Sequence, residues 1–329
     1  GEEGDIFVNP SWMFLPDAHV VNKPADIAYL LRYARQNSRD FVEDNTVVLD
    51  KALAERMYEE KKTEQLLADA IDYDRVEVYY QPILATGEQR FTSAEALIRI
   101  RDKSGKIVPP NTFINVAEQN GMIIRLGEIV FEKVCRFLQE YHPKHLGLHY
   151  IEVNLSAVQC TYEHLAENFI GIMKKYEIDP SWINLEITES ASVSSKKIFS
   201  ENIKKLMAYG ITFSLDDFGT GQSNLNYIVE MPVNIVKFDR SMISAYFENG
   251  KAKYVMDAAM HMIRGMRLKI VSEGIETKEQ YDTMKELGIH YIQGYYFSKP
   301  LAVEAFVEFI QNSRRQEKHE TVSREDQKC

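Results

Sequence analysis

Cysteine is scarce in this chain of 329 residues: Cys135, Cys160 and Cys329 are an odd, scattered three. There is no CxxC pair and no Cys/His cluster. That excludes a zinc site of the usual kind and a disulfide framework, and it points to a reducing, cytoplasmic setting. Long apolar runs are missing as well. Nothing approaches the roughly 18 consecutive apolar residues of a membrane helix, and no secretory leader pattern is visible. Positive charge is in deficit, with 39 Lys and Arg against 49 Asp and Glu and a formal net charge of −10. Such a balance disfavours binding along a long nucleic acid. A small phosphate-bearing ligand stays open, because a bound cation can invert the local field. The acidic opening "GEEGDIFVNP" lacks an initiating Met, the first being Met13. We therefore expect a fragment or processed form, such as the cytoplasmic part of a larger membrane-attached or sensor-linked protein.

What is present is ordinary globular material, 45% hydrophobic and long enough for one large barrel or two domains. Residues 1–73 read as a mostly helical extension. "PADIAYLLRYARQN" (Pro24–Asn37) and "LDKALAERMYEEKKTEQLLADAI" (Leu49–Ile71) carry apolar residues at helical spacing. The second is expected to be a linker helix lying on the main domain, or else a helix that transmits a signal. From about residue 74 to 312, strand and helix patterns alternate. "RVEVYYQPIL" (Arg75–Leu84) and "QRFTSAEALIRI" (Gln89–Ile100) flank an "ATGE" turn and predict an antiparallel hairpin. Further strands are expected at 148–154, 182–187, 211–216, 233–238, 268–272 and 290–293. Helices are expected at 111–119, 124–140, 163–176, 196–209, 251–265, 277–287 and 302–312. Residues 313–329 read as a frayed polar tail. This order suits an α/β fold with a mainly parallel sheet, either an eight-stranded barrel or an open doubly wound sheet. The opening hairpin is unusual for either.

Polar residues recur where the strands end. They are Glu95, Asn154, Glu186, the adjacent pair Asp216 and Asp217, Lys237, Glu273 and Gln293. In barrels and open α/β sheets, ligands bind at the carboxyl ends of strands, so these side chains are expected to converge on one mouth. Two carboxylates about 4 Å apart repel by about 4 kcal/mol at an effective dielectric near 20. A crowd of acids must take up protons or share cations. Oxygen ligands without Cys or His indicate hard ions, Mg²⁺ or Mn²⁺, with Ca²⁺ as a candidate inhibitor. Two adjacent Asp residues can bridge an ion pair of the kind that supports phosphodiester cleavage. Gly219 and Gly221 then permit positive φ in a loop that serves as lid or phosphate cradle, ahead of a helix expected at Ser223–Glu230.

Taken in order, "EAL" (Glu95–Leu97), "NLS" (Asn154–Ser156), "LEITES" (Leu185–Ser190), "DDFGTG" (Asp216–Gly221), "KFDR" (Lys237–Arg240), "SEGIET" (Ser272–Thr277) and "QGYYFSKP" (Gln293–Pro300) resemble the EAL-domain cyclic-di-GMP phosphodiesterases. The resemblance covers about Asp74–Phe309. It implies a modified TIM (β/α)8 barrel with one antiparallel strand, and hydrolysis of cyclic di-GMP to linear pGpG with two Mg²⁺ or Mn²⁺ ions. By motif position it implies Glu95, Asn154, Glu186 and Asp216 as ligands of one ion, with Asp216 bridging and Asp217 on the second. Glu273 is implied to assist deprotonation of the attacking water and to touch the second ion, and Lys237 to hold that water and offset charge. Gln81, Arg99, Glu276 and Gln293 are implied as substrate contacts, and Glu189 as the anchor of the glycine loop. Plainer roles compete: Arg99 as an ion-pair residue, Glu276 as a helix cap, Gln81 as a surface amide, and Tyr295, Tyr296 and Phe297 as packing. Departures from the family pattern are Ile100, Gln222, Asn224 and Ser272, none of them an implied ligand.

"KPADIAYLLRYARQNSRD" weakly resembles the last helix of a GGDEF domain, so residues 1–73 are expected to hold a remnant of one without cyclase activity. The segment "SMISAYFENGKAKYVMDAAMHMI" is rich in apolar residues and, with the resemblance, leads us to expect a homodimer. The rival expectation is a receptor that captures cyclic di-GMP without cutting it. Such receptors usually lack one of the acids, and none is lacking here.

Overall fold

The computed structural model describes residues 12–15, 17–37, 46–188, 196–220, 228 and 231–326. The chain divides into two compact units, Gly1–Tyr73 and Asp74–Cys329.

In the first unit, a helix at Asp26–Gln36 and a longer one at Lys51–Asp72 match the sequence pattern. Asp50 caps the longer helix, its carboxylate accepting from the Leu53 N–H at 2.8 Å, as an N-cap aspartate does. Two three-residue strands too short to show in the sequence, β1 (Trp12–Phe14) and β2 (Thr46–Val48), pair in parallel. Leu53 and Met57 of the long helix join Leu30, Ala34, Val47 and Leu49 in the unit's own core. Asp26, nearly buried, accepts from Tyr58 Oη and Lys61 Nζ.

The second unit is a closed ring. Its strands are β3 (Val76–Ala85), β4 (Arg90–Arg101), β6 (Tyr150–Leu155), β7 (Ile183–Thr188), β8 (Thr212–Phe218), β9 (Ile235–Phe238), β10 (Lys269–Ser272) and β11 (Tyr291–Ile292). A two-residue β5 (Ile107–Val108) adds to β4. Seven ring strands run parallel, and β3 is antiparallel to both neighbours, β4 and β11. The barrel is thus the modified TIM type, and the open sheet is excluded. The opening hairpin is what reverses β3.

Strand periodicity of two decides what fills the ring. Ile83, Ala85, Ile235, Val271 and Tyr291 form an apolar floor with Tyr150 against it. Glu152, Asn184, Ser214 and Lys237 are buried above it. Outside the ring, Tyr80 of β3 stacks on Phe137 and Phe306 at centroid distances of 4.4 and 5.3 Å. The helices Met122–Tyr141 and Leu165–Lys175 meet through stacked Phe131 and Phe169.

Two expectations need correction. The helix expected to stop near 312 runs from Val303 to Asp326, because the polar tail is rich in Glu, Lys, Arg and Gln, which favour helix without needing burial. A helix at Arg240–Glu248, capped by Asp239 and not foreseen, precedes the one at Gly250–Gly265. Glu189, Gly221 and, apart from Ile228, the helix expected at Ser223–Glu230 lie outside the described residues.

Candidate active site

The carboxyl ends of the strands bring the predicted acids together around one ammonium. Lys237, on β9, is fully buried. Its Nζ lies 2.5 Å from Glu186, 2.7 Å from Glu273, 3.4 Å from Glu152, 3.7 Å from Glu95 and 4.0 Å from Asp216. Each acid comes from a different strand or strand end. The sequence reading named four of these five partners and missed Glu152. The signal was available: Glu152 stands two residues before Asn154 in "IEVNLS", and alternation puts both on the inner face.

Amides knit the rim. Glu95 accepts from Asn154 Nδ2 at 2.7 Å and from Gln293 Nε2 at 2.6 Å, and Gln293 also donates to Gln81 Oε1 at 3.1 Å. Gln81 in turn donates to the Ser298 carbonyl. Gln81 is therefore a buried member of the site and not a surface amide.

Asp216 and Asp217 sit in a bulge of β8. The β8–β9 ladder pairs Leu215 with Val236 and Phe218 with Phe238. Two residues of β8 thus oppose Lys237 alone, the mark of a β-bulge. Asp217 adopts φ 57°, a region that Asp tolerates better than most side chains. The strand is kinked there, so the two acids are not forced onto opposite faces. Gly219 follows at φ 101°, where an added Cβ would lie 2.8 Å from Met242 Sδ.

Electrostatics divide the acids. Burial holds the Glu186 and Glu273 carboxyls well above the usual range, only partly offset by Lys237. Burial lifts Asp216 to about 6, and it raises Asp217, with Asp239 adding to the effect. Glu95 goes the other way. Burial acts to raise it, but the Lys237 charge and the hydrogen bonds from Gln293 and Asn154 outweigh burial and lower it. Lys237 is pulled down by burial, yet the surrounding carboxylates raise it well above its ordinary value, so it stays charged.

Among the described residues, no three acidic or imidazole side chains stand as a ready-made metal cage; the acids close on the ammonium instead. The donor set nonetheless fits hard cations. Glu186 Oε2 and Asp216 Oδ1 are buried without a hydrogen-bond partner, and a single ammonium cannot match five carboxylates.

The outer residues separate. A pocket of about 230 Å³ opens beside the acids, lined by Gln81, Glu95, Glu273, Glu276, Gln293 and Tyr295 among others. Glu276 pairs with Arg240 Nη2 at 3.0 Å. The cap of the following helix, Lys278–Glu286, is Thr277 with Gln280. Arg99 does not join the acid cluster; it donates to the Ile98 carbonyl and lies over the Tyr79 ring. Tyr296 and Phe297 pack against Tyr281, as expected, whereas Tyr295 is exposed at the pocket. Among the described residues, no helix is long and apolar enough to cross a membrane.

Comparison with known proteins agrees with this geometry. Residues 64–300 match the family described as "EAL domain". The signaling protein YkoW of Bacillus subtilis is 33% identical over 247 residues, which is 75% of this chain and 31% of that protein. The cyclic di-GMP phosphodiesterase NbdA of Pseudomonas aeruginosa is 31% identical over 271 residues, 82% of this chain and 35% of that protein. The chain thus spans about a third of the length of these curated relatives. Among solved structures, the MucR phosphodiesterase in complex with c-di-GMP superposes with a TM-score of 0.69 at 29% identity, covering 74% of this chain and 99% of that one.

Proposed function

Because this chain belongs to the EAL domain family, we propose that it is a phosphodiesterase that hydrolyses cyclic di-GMP to linear pGpG. The observation that carries this reading is the set of five carboxylates from separate strands closing on buried Lys237 at one mouth. The printed names and contents of the relatives support the substrate: NbdA is a cyclic di-GMP phosphodiesterase, and MucR binds c-di-GMP.

Glu95, Asn154, Glu186 and Asp216 would hold one Mg²⁺ or Mn²⁺, and Asp216, Asp217 and Glu273 a second, with Ca²⁺ as a competing inhibitor. Bound there, such a pair would activate a water and stabilise the leaving oxygen. Glu273, 2.7 Å from Lys237 Nζ, stands at the mouth as the base that takes a proton from the attacking water. Lys237 orients that water and offsets the charge that develops on the phosphate. Gln81 and Gln293 present amides towards a guanine edge, Glu276 completes the polar wall, and Arg99 swings from Tyr79 to a phosphate. Glu189 anchors the glycine loop.

We further read the protein as a cytoplasmic homodimer, on the support of exposed Tyr254 and Val255 on the helix Gly250–Gly265. Residues 1–73 are read as a regulatory remnant of a GGDEF domain. Product analysis with cyclic di-GMP and Mn²⁺ tests the central claim. Wild type should yield pGpG, and Glu95→Ala should lose more than about thirtyfold, equivalent to about 2 kcal/mol of barrier. Equal conversion by the two proteins would refute the assignment.

A further inference from the structure

Glu152 has no part in the chemistry above. It lies on β6, two residues deeper along its strand than Asn154, and is wholly enclosed. Neither of its carboxylate oxygens has a hydrogen-bond partner among the described residues. The cation it meets is Lys237 Nζ, at 3.4 Å; it also faces the Glu186 carboxyl and stands opposite Glu95 in the β4–β6 ladder. A carboxylate taken out of water is unfavourable unless a charge repays it, and an apolar side chain usually fills such a place at less cost. Packing does not call for an acid here. On β7, next to β6, and on β8 beyond it, Asn184 and Ser214 satisfy each other, with Ser214 Oγ donating to Asn184 Oδ1 at 2.7 Å.

We propose that Glu152 is a positioning residue that keeps Lys237 in place when divalent cations occupy the rim. This inference rests on the phosphodiesterase reading. In the structure the closest partners of the ammonium are Glu186 and Glu273, both of which that reading assigns to cations. Once those acids turn to the cations, Lys237 needs a counter-charge that is not itself a ligand. Glu152 supplies it from deeper in the ring. Without Glu152, the ammonium stays on Glu186 and Glu273 and competes with the cations for them. Glu152 therefore acts through Lys237 and touches neither substrate nor cation.

The test is a double-mutant cycle between Glu152→Gln, which keeps the shape and removes the charge, and Lys237→Met. Mn²⁺ affinity is read by calorimetry without nucleotide, and kcat and KM are read with cyclic di-GMP. Glu152→Gln should weaken Mn²⁺ binding about tenfold or more, as loss of a residue that orients a metal site does. Its kcat should fall while KM changes less than about twofold, since only the reacting centre is disturbed. In the Lys237→Met background, Glu152→Gln should add less than about a twofold change, because the partner it acts on is gone. Glu152→Asp, which keeps the charge, should recover part of the affinity. If Glu152→Gln does not fold, Glu152→Asp replaces it, with weakened Mn²⁺ binding expected and wild-type affinity refuting the role. A folded Glu152→Gln protein that binds Mn²⁺ as wild type does, or effects that multiply independently in the double variant, would overturn the proposal alone. A wild type that binds no Mn²⁺ would overturn the phosphodiesterase reading and this inference with it.

Discussion

Lys237 keeps its charge in a place where a lone lysine would lose its proton, because burial is opposed there by the carboxylates of Glu186, Glu273, Glu95 and Asp216, and the carboxylates win. Removing it should be severe. Lys237→Met leaves the acids without a counter-ion, and breaking a buried pair costs about 3–5 kcal/mol; thermal unfolding of the metal-free protein measures it. The acids themselves set a pH dependence. A carboxyl whose folded pKa is raised holds its proton more tightly folded than unfolded. Its stabilising effect is full below the unfolded value, 3.8 for Asp216, and is lost as pH rises through about 6. Glu186 and Glu273 shift in the same direction. Glu95 is lowered, so its contribution is lost only as pH falls below the usual glutamate range. Metal-free protein should therefore melt at a higher temperature at about pH 5.5 than at about pH 8, and Mn²⁺ should raise the melting point more at the higher pH. Calorimetric scans in a chelator and in Mn²⁺ decide this, and a melting point that rises steadily with pH would contradict it.

At the level of elements, the bulge and one glycine shape the mouth. Asp217→Asn keeps a side chain that tolerates positive φ while removing the charge. Circular dichroism and melting should stay near wild type, and turnover should fall by at least about tenfold. Gly294 admits no substitution of this kind, since a Cβ there would stand 2.0 Å from the Ile275 carbonyl oxygen. The backbone hydrogen bonds from Ile275 to Gln293 and from Tyr296 to Ile275 cross at that point. Gly294→Ala should displace Gln293 from Glu95, seen as a raised KM and a lower melting temperature. Much of this layer was legible in the sequence. Alternation located the strands, and their polar ends marked the mouth. The bulge was not legible, because it is a mismatch between two strands and neither strand records it alone. The helix Arg240–Glu248 is only nine residues long, too short for its apolar spacing to stand out in the sequence. Glu152 is less legible because it lies within β6 and not at its end. Arg99 carried a motif position but found a nearer partner in Tyr79.

On the scale of the whole molecule, Gly1–Tyr73 and Asp74–Cys329 are separate compact units, and the parallel β1–β2 pair of the first is too short to leave a periodic trace in the sequence. Tyr254 and Val255 give a test of assembly. Tyr254→Glu with Val255→Glu should shift a dimer to monomer in light scattering without altering the circular dichroism of the barrel, and an unchanged mass would remove these residues from the interface. The closed ring has a consequence of its own. Its seam joins Tyr291 and Ile292 to Ala85 and Leu84, segments about two hundred residues apart, and such long-range pairing is slow to form. A chain emerging from the ribosome carries Gln81 and Glu95 on its first hairpin but must wait for Gln293 before the rim can close. Synthesis that halts before β11 yields a barrel with two raw sheet edges and no working mouth, a species disposed to aggregate. The finished chain, by contrast, gains its edges' protection and its chemistry in a single stitch.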